Sequence, residues 1–500
     1  MKLLNILLIS LFLAASAFGA EYYLDATNGS DSDNGTTEGL AWETVDYAWS
    51  QVGPGDTVYM MDGNYGIVEL STTASGVDSW DNKVTFTKLT GHDPIVQSIL
   101  LNDRSFYIEF NDFKIRPGTA EQIVHGVDAD QIRFINLNCR GIWNTDFSDL
   151  TERDASGFEA LTKGMYFSGG TDETPLNGIL VDNCSFLETR YAVVTNMSVG
   201  DNIVISNNTC DTFADAEIEI GSTNEGLEGA SLIEGNNIHG FYSFFTGVDM
   251  VHSSGIGIRT NNITVQNNIV HECGSTAGIT LFPDYPNSPT GAADVLIQNN
   301  LVYDTFSQYA VRLTDISETG SVIFRNNTVI GSHSNGTAGY YYGVAVLVIP
   351  RGYNTLDPNE CSGLEIYNNI IVGALHFDGS DAKVGGLREA KEDYNYMYSK
   401  LTDDGWQTSS NNSTILVTLG GAYDDTFASG FFVNPNFTNA MHRLELDDGY
   451  KLTTGSPAIN AGDATNAPTT DLLENSRVDE TDMGCYEYGA EIRYLLARLK

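Results

Sequence analysis

An Asn-containing segment recurs through the middle of this chain and limits its fold more than any other sequence feature. Each copy follows a short run of alternating apolar and polar residues, as in TVQNNIV and LIQNNLV. From Asn183 onward the copies lie 25 to 42 residues apart. The aligned residues are Asn138, Asn183, Asn208, Asn237, Asn268, Asn300, Asn327 and Asn369.

Irregular spacing around a constant core is typical of β-coils whose loops differ in length, and not of a helical repeat. Asn tolerates the left-handed conformation of a tight corner, and Asn amides stacked on successive coils can form a hydrogen-bonded ladder. The flanking residues alternate with a period of two, as in Val265-Gln266-Asn267. We therefore predict an all-β chain folded as a single-stranded, right-handed parallel β-helix, a solenoid stabilised by stacking between coils.

The repeat also predicts how the mature chain is organised. Residues 21–110 are expected to form an N-terminal cap and the first coils, and residues 111–373 the β-helix repeats. Residues 374–490 are less regular and read as late coils with a closing segment, followed by a tail at 491–500. Within the cap, Trp42 to Gln51 has the pattern of a short amphipathic helix that covers the open edge of the first coil.

The first twenty residues have the pattern of a secretory signal peptide. Lys2 supplies a positive charge, and the apolar run from Leu3 to Leu13 is too short to span a bilayer. Small residues follow, so cleavage is expected between Ala17 and Ala20. The alternative is a retained anchor helix. No later stretch is long and apolar enough to cross a membrane, so the sequence predicts a secreted protein.

The formal net charge of −41 excludes nucleic acid as a partner, because such a surface repels phosphates. It also disfavours an acidic ligand, unless cations or local arginines reverse the field at the binding site. Acidity of this kind is otherwise an ordinary solvated surface.

Six cysteines cannot be the main source of stability in a chain of 500 residues. Cys139 and Cys184 each follow an Asn and are aligned at the same point of the repeat. Either they stack as buried thiols or they pair across neighbouring coils, and the sequence favours buried thiols.

One strand of each coil can be aligned with its counterparts, for example AEIEIGS, GIGIRTN, GITLFPD and YAVRLTD. The apolar positions are predicted to point inward, and the residues between and beside them to face outward. Successive coils would then bring the outward side chains together in one sugar-sized patch, in which Asp284 and Arg312 contact a polysaccharide. The outward residues are Asn196, Glu217, Glu219, Arg259, Asp284 and Arg312.

Two carboxylates and an amide on one face offer the hard oxygen ligands that Ca²⁺ prefers, so Asn196, Glu217 and Glu219 are a candidate calcium site. The alternative is that these glutamates are merely solvated. For Arg259, the alternative to a role in a site is a salt bridge to a neighbouring Glu.

The N-terminal segment and the C-terminal stretches LTTGSPAINAGD and DMGCYEY resemble those of bacterial secreted β-helix proteins, including polysaccharide lyases. Glu217-Ile218-Glu219-Ile220, with Gly257-Ile258-Arg259 one coil later, resembles the chondroitinase B and alginate lyase family. In that family the Glu pair and an Asn hold Ca²⁺, a Lys is the base and an Arg assists proton transfer. The resemblance implies metal binding by Glu217 and Glu219 and a catalytic role for Arg259.

The sequence departs from this family at the base, because Asn224 occupies the position of the family's Lys. Lys163 is the one lysine between Lys114 and Lys383 and is the alternative catalytic residue, at the edge of a strand two coils earlier. Four histidines are further candidates for the base: His125, His239, His252 and His271.

These observations predict a monomeric polysaccharide lyase that cleaves an acidic polysaccharide by Ca²⁺-assisted β-elimination. One alternative is a glycoside hydrolase that pairs two of Glu217, Glu219 and Asp284. The other is a glycan-binding or adhesive protein without activity. Two weaker motifs are Asp31 to Gly35, a polar turn rather than a calcium loop, and Tyr340 to Tyr342, which could stack on sugars.

Overall fold

The computed structural model describes residues 19–488 with gaps. The predicted signal peptide and the tail at 491–500 lie outside the described residues. Within the described part of the chain, no helix is both long and apolar enough to span a bilayer. The longest gaps are residues 142–161, 240–253, 332–343, 351–362, 378–390, 399–413 and 416–450.

Three parallel sheets run the length of the molecule, with 13, 13 and 11 strands in the described part of the chain, and most coils contribute one strand to each sheet. Sheet A contains β1 (Glu21–Leu24), β2 (Thr57–Met60), β5 (Val84–Lys88), β8 (Ser105–Asn111), β11 (Asp130–Ile135), β14 (Ile179–Asp182), β17 (Val204–Ser206), β20 (Ser231–Glu234), β23 (Ile263–Gln266), β26 (Val295–Gln298), β29 (Val322–Arg325), β32 (Leu364–Tyr367) and β35 (Lys391–Asp393). Sheet B contains β3 (Gly63–Asn64), β6 (Pro94–Val96), β9 (Lys114–Ile115), β12 (Asn138–Arg140), β15 (Ser185–Leu187), β18 (Thr209–Asp211), β21 (Asn237–His239), β24 (Ile269–His271), β27 (Leu301–Tyr303), β30 (Thr328–Ile330), β33 (Ile370–Val372), β36 (Tyr396–Tyr398) and β37 (Thr414–Ile415). Sheet C contains β4 (Ile67–Leu70), β7 (Ser98–Asn102), β10 (Gln122–Val127), β13 (Lys163–Ser168), β16 (Val193–Asn196), β19 (Ile218–Gly221), β22 (Ser254–Arg259), β25 (Ala277–Leu281), β28 (Tyr309–Ile316), β31 (Val344–Pro350) and β34 (Ala374–Phe377).

This architecture is a right-handed parallel β-helix and confirms the predicted fold class. The core is a set of ladders in which one residue type stacks on its counterparts from neighbouring coils. Ile218, Ile256, Ile279 and Val311 pair in register across sheet C and are fully buried, as predicted. Stability therefore comes from contacts between coils.

The N-terminal helix α1 (Val45–Gln51) is the predicted cap, although it begins three residues later than expected. The side chain of Thr44 accepts a hydrogen bond from the backbone N–H of Tyr47 and so fixes the start of the helix. Trp42 lies before the helix because its backbone pairs with β1, where its N–H donates to the carbonyl of Tyr23 and its carbonyl accepts from the N–H of Asp25. Its ring stacks on Tyr22, with 4.6 Å between ring centroids.

The Asn repeat has two structural positions, not one. At the first position the backbone is left-handed, as at Asn267, where φ is 57°. At the second position the amide is buried, and the side chain of Asn268 donates to the backbone carbonyls of Ile233 and Gln266 and to Oδ1 of Asn300. These amides form the predicted hydrogen-bonded ladder. Its members are Asn208, Asn236, Asn268, Asn300, Asn327 and Asn369.

Three of the aligned Asn residues were therefore assigned to the wrong position. Asn183 is left-handed, with φ at 51°, and Cys184 takes the buried position after it. Asn237 begins β21 because Gly235 supplies the left-handed residue of that coil. Asn138 likewise begins β12. Where Gly235, Cys184 or Leu137 replaces one Asn of the pair, a neighbouring Asn shifts the apparent alignment by one residue.

The predicted alignment of Cys139 with Cys184 also changes. Cys139 pairs in register with Phe186, whereas Cys184 lies two residues before Phe186, so the two cysteines do not occupy the same point of a coil. Both are buried free thiols, which confirms that prediction. Burial raises the pKa of Cys184 to about 12, so this thiol stays protonated at neutral pH.

The described part of the C-terminal region packs along the side of the late coils. The side chain of Asn299 donates to the backbone carbonyl of Thr470 at 2.7 Å, and that of Asn368 donates to the carbonyl of Asp463 at 2.9 Å. The closing segment therefore covers the Asn corner between sheets A and B over several coils.

His271 makes the stability of the solenoid depend on pH. Its ring is stacked between those of His239 and Tyr303, with centroid distances of 5.0 Å and 4.9 Å. Burial, helped by repulsion from His239, lowers the pKa of His271 from 6.5 to about 3. In the unfolded chain this imidazole binds a proton at a higher pH than in the folded chain, so the free energy of unfolding falls as the pH drops from about 6.5 to about 3.

We expect the replacement His271→Phe, which keeps a stacked ring but does not titrate, to flatten this dependence. Between pH 6.5 and 3, the free energies of unfolding of wild type and variant should diverge by at most about 1.4 kcal/mol for each pH unit. Urea unfolding of both proteins at several pH values measures this divergence. Parallel pH profiles for the two proteins would contradict the assignment.

Candidate functional site

Sheet C presents the outward side chains that the sequence predicts to form a site. Glu219 pairs in register with Gly257, and Arg259 pairs with Gly221 on the preceding strand. Ile218, Ile220 and their neighbours in register point into the core, so the residues between them face outward. Glu219 and Arg259 therefore lie on one face of adjacent strands.

These two residues form a partly buried ion pair. The distance from Arg259 Nε to Glu219 Oε1 is 3.4 Å, and 13% of the Glu219 side chain and 22% of the Arg259 side chain are exposed. Gly257 lies beside the pair, and a Cβ at that position would be in contact with the Glu219 side chain, 3.3 Å from Cγ and 3.4 Å from Oε2. The salt bridge considered as the alternative for Arg259 thus exists, and it lies on the predicted face.

Arg312 continues this face toward the C-terminus. Gly257, Thr280 and Arg312 pair in register on three consecutive strands. The guanidinium carbon of Arg312 is 5.6 Å from the centroid of the Phe282 ring, within the range of a cation–π contact. An arginine and an aromatic ring therefore flank the ion pair on the C-terminal side.

On the N-terminal side of the pair, the same face carries His125 and Tyr166, with Lys163 at the start of β13. The rings of His125 and Tyr166 have centroids 5.8 Å apart. Burial, followed by repulsion from Lys163, lowers the pKa of His125, so the imidazole is neutral at neutral pH. Tyr166 pairs with Val194, which pairs with Glu219, so about 9.6 Å of strand spacing separates Tyr166 from Glu219.

The structure does not bring Lys163 to the ion pair. Lys163 begins β13, three residues before Tyr166. Two strand spacings and three residues along the strand place its Cα about 14 Å from that of Glu219. His239 and His271 are on sheet B and face another side of the solenoid. Among the described candidates for the base, only His125 and Lys163 belong to the same sheet as Glu219.

Several predicted residues lie outside the described part of the chain. They are Glu217, Asp284, Asn224, His252 and Tyr340 to Tyr342, together with the side chain of Asn196, whose backbone ends β16.

Of the three predicted calcium ligands, only Glu219 has a described side chain. A single carboxylate is not a calcium site. Oε1 of Glu219 faces the Arg259 guanidinium, which is itself a cation. Within the described residues, no group of three His, Cys, Asp or Glu side chains could hold a metal. Calcium binding therefore stays a prediction that depends on Glu217 and Asn196.

Asp31, at the start of the weak calcium motif, is engaged with the protein itself. Its carboxylate accepts hydrogen bonds from the backbone N–H groups of Glu43 and Thr44, both at 3.0 Å. These contacts support the interpretation as a polar turn.

Sequence reasoning missed two aromatic residues of this face, Tyr166 and Phe282. Tyr166 stands in GMYFSGG at the position that Glu219 has in AEIEIGS, and Phe282 follows the inward Leu281 as Arg259 follows Ile258. The alignment of strands contains this signal, because it places both rings at outward positions.

The sequence matches no protein-family model and no curated protein. Solved structures do resemble the fold. Pectate lyase Pel9A is 14% identical, with a TM-score of 0.41, over 95% of this chain and 98% of that chain. A GH136 lacto-N-biosidase from Eubacterium ramulus is 13% identical, with a TM-score of 0.46, over 83% and 70%. A PL6 family polysaccharide lyase from Pseudopedobacter saltans is 14% identical, with a TM-score of 0.40, over 74% and 95%. These likenesses concern the fold alone.

Proposed function

We propose that this protein is a polysaccharide lyase that binds an acidic polysaccharide along sheet C and cleaves it by β-elimination. The observation that carries the proposal is the Glu219–Arg259 pair, held at 3.4 Å on the predicted face and partly exposed. A guanidinium fixed in this way is suited to bind the planar carboxylate of a uronate.

The charge of this face supports an acidic ligand. From β13 to β28, the described charged side chains at outward positions of sheet C are Glu219, Arg259 and Arg312, and a fourth charged residue, Lys163, begins β13 close enough to His125 to repel its protonated form. Three of these four are cations, although the whole chain has a formal net charge of −41. Sheet C thus supplies the local arginines that an acidic ligand needs on this surface.

In the proposed reaction, Arg259 holds the uronate carboxylate. A base removes the proton from the carbon beside the carboxyl group, and the electron pair left behind forms a carbon–carbon double bond. The bond from the next carbon to the glycosidic oxygen breaks, and that oxygen takes up a proton. Negative charge builds on the carboxylate during proton removal, and the guanidinium stabilises it there. Glu219 is a positioning residue that fixes the guanidinium.

Tyr166 is our candidate for proton transfer, in place of Lys163. A hydroxyl in this place can exchange a proton with a sugar that lies between Tyr166 and Glu219, because the separation of about 9.6 Å leaves room for one ring. Lys163, about 14 Å from Glu219 by strand geometry, is better placed to bind a neighbouring acidic sugar.

Calcium remains part of the proposal, with Asn196 and Glu217 completing the ligand set around Glu219, and no step above depends on it. Bound calcium would neutralise charge on the substrate carboxylate. The hydrolase alternative needs a second carboxylate from Glu217 or Asp284, and both lie outside the described residues.

The second candidate function is glycan binding without cleavage. It is favoured by the distance of Lys163 from the ion pair and by the engagement of Glu219 with Arg259. Secretion, predicted from the first twenty residues, suits either function.

A product-resolved screen separates these functions. Alginate, pectin, glycosaminoglycans and algal sulfated glycans are offered to the protein with and without a chelator. We expect an unsaturated product that absorbs in the ultraviolet from at least one uronate-containing glycan, and loss of this signal with chelator if calcium takes part. New reducing ends without ultraviolet absorbance would establish the hydrolase instead, and binding without any product would establish the adhesive protein.

A further inference from the structure

The outward face of sheet A carries a mostly aliphatic row of side chains that the proposed function does not use. One residue from each of eight consecutive strands contributes, and the strands pair in register without a break. We call this row the sheet A stripe. In order, it consists of Arg133, Leu180, Val204, Leu232, Thr264, Leu296, Ile323 and Glu365.

The stripe is apolar in its middle and partly exposed along its length. Residues on either side of each member, such as Ile179 and Val181 beside Leu180, are buried in the core, so the members themselves point outward. All eight keep an intermediate exposed fraction. The corresponding outward row on sheet C is polar or charged at several of these coils, as at Glu219 and Arg312. A partly exposed row in which five of eight residues are aliphatic is typical of an interaction surface.

The charges at the two ends of the stripe are opposite. Arg133 is the first member and Glu365 is the last, and the guanidinium of Arg133 lies 3.7 Å from the centroid of the Trp80 ring, which holds it at that end. In the neighbouring outward row, the charged residues are held within their own chain: Arg325 donates to Oε1 of Gln298 and to the backbone carbonyl of Asn466, and Oδ1 of Asp182 accepts from Ser206.

A two-fold axis parallel to the strands brings the opposite charges of the stripe together. Such an axis reverses the order of the coils, so the first strand of one copy faces the eighth strand of the other. Arg133 then meets Glu365 of the second copy. Leu180 faces Ile323, and Val204 faces Leu296. We propose that the sheet A stripe is a dimer interface between two copies of this chain in antiparallel order, because one rotation satisfies both the charges and the apolar row.

The size of the stripe predicts a weak dimer. Seven strand spacings give a length of about 34 Å, and two outward rows cover a width of about 14 Å. The two copies together would bury close to 1,000 Å², which is roughly the lower bound for a specific interface. Dimers should therefore form only as the concentration rises. The site on sheet C belongs to another face, so the dimer leaves it open to a polysaccharide.

Sedimentation velocity of the purified chain over a wide concentration range tests this inference. We expect wild type to shift from monomer to dimer as concentration rises, and Leu232→Glu to remain monomeric because it places a charge at the centre of the stripe. The matched control is Leu187→Glu, an outward leucine on sheet B, which should dimerise like wild type.

A charge exchange tests the orientation of the two copies. Glu365→Lys places like charges at both ends of the interface and should weaken the dimer at least tenfold, and Arg133→Glu with Glu365→Lys should restore it. A wild type that stays monomeric at every concentration, or a dimer that tolerates Leu232→Glu, overturns the proposal. Failure of the double variant to restore dimerisation overturns the antiparallel order.

Discussion

Replacing Arg259 with Ala is expected to lower kcat on a uronate-containing polysaccharide by about 100- to 1,000-fold, the usual cost of removing one charge-stabilising group from an active site. The guanidinium meets negative charge that builds only as the proton leaves, so the loss should appear mainly in kcat and less in KM. Arg259→Lys keeps the charge but not the planar fork and should recover only part of the rate. The initial rate at which ultraviolet absorbance increases, recorded over a range of substrate concentrations, gives kcat and KM for wild type and both variants.

Arg140 provides a matched control for this variant. It forms a similar outward pair, with Nε 2.8 Å from Oε2 of Glu188, but on sheet B. Arg140→Ala should leave kcat and KM unchanged, while Glu219→Gln should lower kcat about tenfold through the position of Arg259. Equal losses in the Arg140 and Arg259 variants would show that these pairs are only structural.

Replacing Asn268 with Ala is expected to lower the free energy of unfolding by about 3 to 5 kcal/mol. Oδ1 of Asn268 accepts hydrogen bonds from the backbone and side chain of Asn236, and its amide nitrogen donates to two buried carbonyls. Alanine leaves these buried groups without partners. The shift of the urea midpoint, at constant slope, measures the loss.

The adjacent Asn267 is the natural control. It is left-handed and supplies the corner conformation, and Gly235 already fills the equivalent place in the preceding coil. Asn267→Gly should therefore change the free energy of unfolding by less than about 1 kcal/mol. If Asn268→Ala also changed the free energy of unfolding by less than about 1 kcal/mol, the buried Asn ladder would not be a main source of stability.

The fold could be predicted because its determinants repeat along the chain. A period of two places Ile218, Ile256 and Ile279 inward in every coil, and the Asn corners mark where each coil turns. The exact residue at each position was harder to predict, because two adjacent Asn positions have different roles. Where Gly235 or Cys184 replaces one of them, sequence spacing alone cannot tell which role remains.

The site was predicted less completely than the fold. Glu219 and Arg259 are close because they stand at fixed places on adjacent strands, which strand alignment predicts. Lys163 was expected to join them, but its distance depends on how many strands intervene and how far along its strand it stands. The aromatic partners were missed for a different reason: Tyr166 has the same outward position as Glu219 but does not carry a charge.

The most direct test of the central claim is a crystal structure of the protein with an acidic oligosaccharide that it releases as product. The proposal predicts a sugar on the outward face of sheet C, with a uronate carboxylate within about 3 Å of the Arg259 guanidinium and a sugar ring between Tyr166 and Glu219. An oligosaccharide bound on sheet A or sheet B, with Arg259 still held by Glu219 and making no contact to it, would contradict the claim.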